Sequence, residues 1–572
     1  MSYFLKQTKN RKGIYLQIYE THYNPEKQYS SQKSYKAIGY IHELKEQGIK
    51  DPVNYYKKEV NELNDALKLE KEQEKSRQIS ETRPIKSLGY FPFKAINKML
   101  NVKKDINYFD LATGFKYPIW DLFSSLLYAR IISPCSKYKT YYDVIPRLYS
   151  KTNFSLDQLY EGLRYLGNQY EKIIEIYNDK IKQIWKRNTN NTYFDCTNFY
   201  FEIDQEDGFR MDGPSKENKK SPIIGMGLLL DADCIPLGMK LFPGNESEKP
   251  ILRDVISSIK EQNGIKGRIV RVADKGLNCA QNILDAKKNK DGYIFSKSIK
   301  QLSEAEQNVA LEGDDWTNYY NDKGELKYKS RSIIDYYDYK VKGNDGKLIS
   351  FELKEKRIIT FNPKLQRKQI REINKQVEKA QRLRLSEAKR KEFGHCAKYV
   401  NFESVDDNGC ISNESVIPTL NHKTIDKDKK LAGYNMIVTS EINMSDNEIY
   451  TTYHNLWRIE ESFKIMKSQL DARPVYLQNE ESIYGHFLIC YISVLLLRIL
   501  QIKIMNDKYS MESIMSFVRD FNVVTASPRK NINITKKSEI TNYFQETTKI
   551  PINNFDINQT MINKLMNYEF NI

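Results

Sequence analysis

The sequence predicts an α/β protein. A mixed sheet with flanking helices is interrupted by a β-rich and helical insertion, and is preceded by a small β unit and a helical region. Three observations predict this. Between about 190 and 300, strand-like runs alternate with helix-like ones, the pattern of an α/β unit. From about 300 to 430 that alternation breaks into a hairpin and a long charged helix. Then "LAGYNMIVTS" restores the strand-and-helix alternation, so the block between reads as an insertion.

The elements follow in chain order. Residues 1–60 form a small β-containing unit, with "GIYLQIYE" and "SYKAIGYI" as strands. A charged helix, "KEVNELNDALKLEKEQEKSRQ", and a polar connector around "SETRPIKS" open a mainly helical stretch, 61–187. Within it, "YPIWDLFSSLLYARII" and "SLDQLYEGLRYLGNQYEKIIEIYNDKIKQIWKR" are separated by the stop at "SPCSKYK". The first part of the α/β domain spans 188–300. It opens with "NTYFDCTNFYFEI", aromatic and β-branched as strands are. "SPIIGMGLLLD" and "CIPLGMKLF" make a hairpin around Asp231–Asp233. A helix ("ILRDVISSIKEQ"), a strand ("GRIVRVADKGL"), a helix ("CAQNILDAKKN") and a strand ("GYIFSKS") follow. The insertion, 301–430, carries a hairpin around Asn344–Gly346. Its long basic helix has Ile370, Ile373, Val377 and Ala380 as a seam. The second part of the domain, 431–505, holds a helix whose start Ser445 and Glu448 cap. Residues 506–572 read as a C-terminal helical tail.

Composition narrows the function classes. The chain of 572 residues is 40% apolar and 12% aromatic, which excludes a disordered protein. Its net charge of +16 points to a polyanionic partner. The N-terminus lacks the apolar block of a signal peptide. The run "HFLICYISVLLL" is short for a membrane span and reads as a buried helix, so no membrane partner is expected. The seven cysteines show no paired spacing and read as reduced thiols in a cytoplasm. His395 and Cys396 are adjacent without a second pair at zinc-finger spacing.

Three carboxylates stand where apolar residues are due. Asp195 interrupts the strand "TYFDCTNFYF", and Asp274 ends "RIVRVAD" where the chain leaves the sheet. In and around "YHNLWRIEESFKIMK" (453–467), Ile449, Tyr453, Leu456, Phe463 and Leu470 share one helical stripe, and Glu460 falls on it. Taken singly, each has an ordinary reading as a solvent-facing or turn-capping acid. Taken together, three converging acids repel unless cations neutralise them, and hard oxygen donors suit Mg²⁺.

"YFDCT", "VADKG" and "YHNLWRIEESFKIMK" resemble the DDE transposases of bacterial insertion sequences, in the branch with a Tyr-x2-Arg-x3-Glu-x6-Lys signature. Tyr453, Glu460 and Lys467 match three of its four positions, and Leu456 replaces the arginine. The resemblance covers about 190–300 and 430–500. It implies a ribonuclease-H-like catalytic domain, split by an insertion between Asp274 and Glu460. Asp195, Asp274 and Glu460 would be the catalytic, metal-holding triad, with Mg²⁺ as cofactor and Mn²⁺ able to substitute. Tyr453 and Lys467 would contact DNA, together with nearby Arg458, Lys464 and Arg473. The partners implied are double-stranded DNA, at transposon ends and target, and a second copy in a synaptic homodimer. The place of action would be the bacterial nucleoid. A nuclease without strand transfer and an inactive DNA-binding descendant stand as the two alternatives.

Two further features bear on DNA. The insertion's helix carries Arg367, Lys368, Arg371, Lys375, Lys379, Arg382, Arg384, Lys389, Arg390 and Lys391, diluted by Glu372, Glu378 and Glu387. That is either a solvated face or a phosphate-binding one. The helical stretch 61–187 is the expected DNA-binding region, and "SKYKTYYDVI" within it mixes Lys and Tyr as phosphate contacts do, without a clear helix-turn-helix. No Walker A sequence is present.

Overall fold

The computed structural model describes residues 2–570 except 25–28, 77–84, 110–113, 151, 215, 217–220, 263–266, 314, 344–345, 386–389, 406–410 and 528–529. The chain divides into two compact units, Met1–Arg83 and Pro84–Ile572.

The first unit is a three-stranded antiparallel sheet of β1 (Ser2–Asn10), β2 (Gly13–Asn24) and β3 (Tyr29–Tyr40). Leu16 and Ile18 are its buried side chains on β2. The helix Pro52–Lys75 lies on β1, where Tyr3 N donates to Asn64 Oδ1 at 2.8 Å and Asn64 Nδ2 donates back to Tyr3 O at 2.9 Å. The expected boundary at residue 60 therefore cuts an element that belongs to the β unit. The polar connector lies mostly outside the described residues.

The second unit begins with β4 (Ile85–Ser87), followed by helices Phe91–Leu100, Val102–Asn107, Ile119–Ile132, Leu156–Asn168 and Tyr170–Ile184. A nine-stranded mixed sheet is built from β5 (Asn191–Tyr200), β6 (Ile223–Leu230), β7 (Pro236–Pro243), β8 (Val270–Ala273), β9 (Gly292–Lys297), β10 (Thr317–Tyr320), β11 (Leu326–Lys342) and β12 (Leu348–Phe361). A separate pair follows, β13 (Val400–Val405) and β14 (Ile411–Leu420), before β15 (Tyr434–Thr439) returns to the large sheet. The strand order is β10-β11-β12-β15-β9-β8-β5-β6-β7. The centre is parallel, with β8 between β5 and β9, and all other neighbours are antiparallel. Every residue of β6 is buried, as expected of a strand covered on both faces.

The insertion is only partly separate. Its hairpin β11–β12 extends the main sheet, and Lys356–Phe361 of β12 pair with β15. Of the expected turn, Asn344 and Asp345 lie outside the described residues. The helix Pro363–Leu385 buries Ile373 and Ala380 and half-buries Ile370 and Val377, the seam the sequence predicts. They pack on β13, β14 and the helix His422–Lys430. On its other side Arg367, Lys368, Arg371, Lys375, Lys379, Arg382 and Arg384 are spread along the helix, and the Arg382 side chain is 81% exposed. Lys389 and the side chains of Arg390 and Lys391 lie outside the described residues.

The main core is organised by the helix Glu480–Arg498, buried from Ser482 onward except at Tyr484. With the turn to Ile504 it is long and apolar enough to cross a membrane by length and composition, yet 83% of that window is buried in the protein. It meets the helix Leu156–Asn168 at two glycines. A Cβ on Gly485 would lie 2.2 Å from Leu163 O, and one on Gly167 1.7 Å from Glu481 O.

The C-terminal residues are not simply a helical tail. The helices Met511–Asp520, Glu539–Thr548 and Gln559–Met566 alternate with β16 (Asn522–Ser527), β17 (Lys530–Asn533) and β18 (Asp556–Ile557), and β16 pairs with β4. These strands are short, and β16 is completed by a partner more than 400 residues away, so no local pattern announces the sheet.

Candidate active site

Parallel pairing sets two of the three acids side by side. Phe194 on β5 stands opposite Ala273 on β8. The next residue on each strand is Asp195 or Asp274, at the end where β8 leaves the sheet. Neighbouring strands are about 4.8 Å apart. Alternation turns Asp195 to the face of Tyr193 and Thr197, away from Phe194 and Cys196. Two short helices, Asp446–His454 and Trp457–Lys464, serve that face. Asn455 Nδ2 donates to Tyr193 Oη at 3.3 Å, and Tyr453 Oη donates to Asp274 Oδ1 at 3.1 Å. The capping box of Ser445 and Glu448 starts the first helix as predicted.

Asp195 is under electrostatic load. Its Oδ1 accepts from Cys196 N at 2.8 Å. Burial pushes its pKa up to about 6; Lys216 and the Cys196 amide oppose the rise, while Glu248 and Asp274 add to it. Lys216 donates to the Cys196 carbonyl and pairs with Glu248 at 3.0 Å. Burial pulls the lysine's own pKa down, but Asp195 and Glu248 more than offset this and raise it. Sequence alone does not single out Lys216 or Glu248. The first sits in a polar loop and the second opens a helix, both ordinary places for charge.

Glu460 does not follow the expected stripe. The helix is broken at Asn455–Leu456 and ends in a widened turn, Ile465–Gln469. The break shifts the phase, so Ile459 is fully buried and Glu460 is exposed. Glu460 is still felt at the Tyr453 hydroxyl, whose pKa is held well above its ordinary value by burial first, then by Asp274 and more weakly by Glu460. Among the described residues, no three Asp, Glu, His or Cys side chains are gathered closely enough to hold a metal ion. The structure thus brings Asp195 and Asp274 together and leaves Glu460 at the rim.

The neighbouring acid, Glu461, has a different role. It pairs with the fully buried Arg498 at 2.8 Å and with Arg458 at 3.4 Å. Arg458 also pairs with Asp507 and lies 4.1 Å from the Trp457 ring centroid. Arg458, one of the expected DNA contacts, has its guanidinium paired within the fold to Glu461 and Asp507. Leu456, at the position of the signature arginine, is buried. Lys464 is exposed. Lys467 is partly buried, 5.3 Å from the Phe199 ring, with its pKa lowered to about 8 by burial and then by the charge of Lys216. Arg473 lies 5.7 Å from the Tyr200 ring at the end of β5.

Residues 192–496, more than half of the chain, match the family described as the transposase DDE domain. The chain belongs to this family. No curated protein matches it. Membership makes the transposase a DNA-acting enzyme whose chemistry depends on divalent metal. The aspartate pair fits such an ion: both offer hard oxygens, and Asp195 is a carboxylate that burial and neighbouring acids leave short of counter-charge.

Proposed function

We propose that the chain is an insertion-sequence transposase of the Tyr-Arg-Glu-Lys branch with a ribonuclease-H-like catalytic domain. It binds the terminal inverted repeats of its element, cleaves the ends and joins the freed 3′-hydroxyls to target DNA, as a dimer in the synaptic complex. The observation that carries this reading is that Asp195, within β5, neighbours Asp274, just past the end of the parallel strand β8, in a chain of this family.

In this reading Asp195 and Asp274 hold Mg²⁺, and Glu460 is the third carboxylate. When bound, divalent ions activate a water or 3′-hydroxyl and stabilise the leaving oxygen of an in-line displacement. Tyr453 donates to Asp274 and so fixes which oxygen lone pairs remain for a cation. Lys216 partly neutralises the acids before an ion arrives. Lys467, half-sheltered over Phe199, offers a weakly hydrated cation to a phosphate. Each exchange replaces one phosphodiester by another, so no nucleotide hydrolysis is needed.

The test incubates the protein with a labelled element end, a target plasmid and Mg²⁺. Joined product supports the proposal. Cleavage without joining would instead support a nuclease. A mobility shift without cleavage would leave only a DNA-binding descendant and refute both enzymatic readings.

A further inference from the structure

A second basic site lies in the same unit, away from the carboxylates. The loop Asp471–Leu477 and the turn at Cys135–Lys137 enclose a cavity of about 180 Å³, lined among others by Arg130, Ser136, Lys137, Tyr160 and His486. Arg130 is held rigidly: it donates to the carbonyls of Cys135 at 3.0 Å, Leu470 at 3.3 Å and Asp471 at 3.5 Å. His486 Nε2 donates to the Ala472 carbonyl at 3.1 Å, which makes Nδ1 the acceptor for Lys137 Nζ at 3.1 Å. A lysine ammonium carries three N–H bonds, and His486 takes one.

Lys137 is buried, with 6% of its surface exposed. Its pKa is lowered to about 7 by burial and by Arg130, with only the Cys490 and Cys135 thiols opposing. Asp471 lines the cavity but is not among the groups acting on Lys137. A buried lysine beside a buried arginine, neither of them ion-paired to a carboxylate among the described residues, is costly to maintain and suits an arriving anion. Tyr160, Tyr476 and Leu477 also line a neighbouring trough of about 610 Å³, together with Phe115, Glu161, Arg164 and Tyr165. Tyr476 is 68% exposed and Tyr160 38%. A cationic hole beside a trough edged by Arg164 and tyrosines matches a duplex backbone, whose phosphates and sugars take Arg, Lys and Tyr contacts, better than a free ion. The loop returns to the active strand, because Arg473 lies over Tyr200. Tyr200 ends β5 five residues from Asp195, about 17 Å, and alternation puts it on the opposite face, so a duplex that meets both places passes round that end of the strand.

We propose that the Arg130–Lys137–His486 cavity is a phosphate-binding site that seats a backbone phosphate of the DNA held at the active site. The inference rests on the transposase reading for its source of phosphate, and its test separates the two. Full-length protein and Lys137→Met are compared in two assays. One is binding of a labelled duplex carrying the element end across a salt series. The other is thermal denaturation in sodium phosphate against sodium chloride at matched ionic strength. The expected result is that phosphate stabilises the wild type but not Lys137→Met. The variant binds DNA about tenfold more weakly, its log K against log salt slope falls by about one, and it melts no lower than wild type without phosphate. Arg164→Gln, on the exposed side of the trough, should lose slope in the same way and guards against a misfolded core variant. Unchanged DNA affinity and slope in both variants would overturn the site while leaving the transposase reading intact. A Lys137→Met protein that melts far below wild type, while Arg164→Gln binds normally, would make the lysine a structural partner of His486 and also overturn it. Phosphate stabilisation dependent on Lys137, with no duplex binding by the wild type, would support an anion site but overturn both its DNA source and the transposase reading.

Discussion

Replacing Asp195 by asparagine should make the protein more stable at neutral pH, although it removes an acid that the proposed reaction uses. The pKa of Asp195 is raised from 3.8 to about 6. A rise of about two units corresponds to about 3 kcal/mol, at about 1.4 kcal/mol per unit. The sign follows from linkage. A carboxyl whose folded-state pKa lies above its unfolded one contributes full stability below about pH 4, and loses it as pH rises to about 6. Above that window the wild type carries the whole penalty and the Asp195→Asn variant carries none. Urea denaturation followed by tryptophan fluorescence, from pH 4.5 to 8, should show the variant pulling ahead by about 3 kcal/mol at the alkaline end and converging at the acid end. Added Mg²⁺ should then close the gap by stabilising the wild type alone, by mass action. Parallel pH profiles would show that Lys216 and the Cys196 amide fully offset the desolvation of Asp195 and would refute the expected gap. Equal stabilisation of both proteins by Mg²⁺ would refute its role as a ligand.

Glu460→Gln should abolish cleavage and joining while DNA affinity stays within about twofold, as measured by gel shift and plasmid integration; retained joining would remove Glu460 from the triad. Glu461→Gln should act on the fold instead, costing roughly 3 kcal/mol in urea denaturation because Arg498 is left buried and under-paired. A fully stable, inactive Glu461→Gln would show that the functional acid is the other one. Gly485→Ala should cost at least about 2 kcal/mol, since its Cβ would sit 2.2 Å from Leu163 O; a melting curve matching wild type would mean that the helix pair separates easily.

Sequence reading goes furthest where the local pattern and the tertiary environment agree. The aromatic and β-branched content of "NTYFDCTNFYFEI" marks β5 and makes Asp195 anomalous, and the strand end at Asp274 is equally plain. Their adjacency depends on parallel pairing, which no local pattern encodes. Glu460 shows the opposite case. A 3.6-residue period assumes an unbroken helix, and "HNL" carries no glycine or proline to signal the turn at Asn455. Once phase is lost, residues beyond the break cannot be assigned a face. The insertion is visible as a break in the alternation, but its hairpin joins the sheet through contacts made by β15, which the chain reaches only afterwards. The stretch "SKYKTYYDVI" flags Lys137 only as one of several Lys and Tyr residues of a phosphate-contact type; its burial beside Arg130 and its bond to His486 are tertiary facts that the stretch does not encode.

The position of β15 constrains how the polypeptide is made. It lies between β12 and β9, so during translation β9 emerges with one side unpaired and waits until residues 434–439 have left the ribosome. Throughout that interval an apolar edge carrying Ile294 and Phe295 is open to other nascent chains. A transcript truncated before codon 434 should yield a polypeptide that precipitates or is degraded, so partial copies of the gene would leave no competing protein behind.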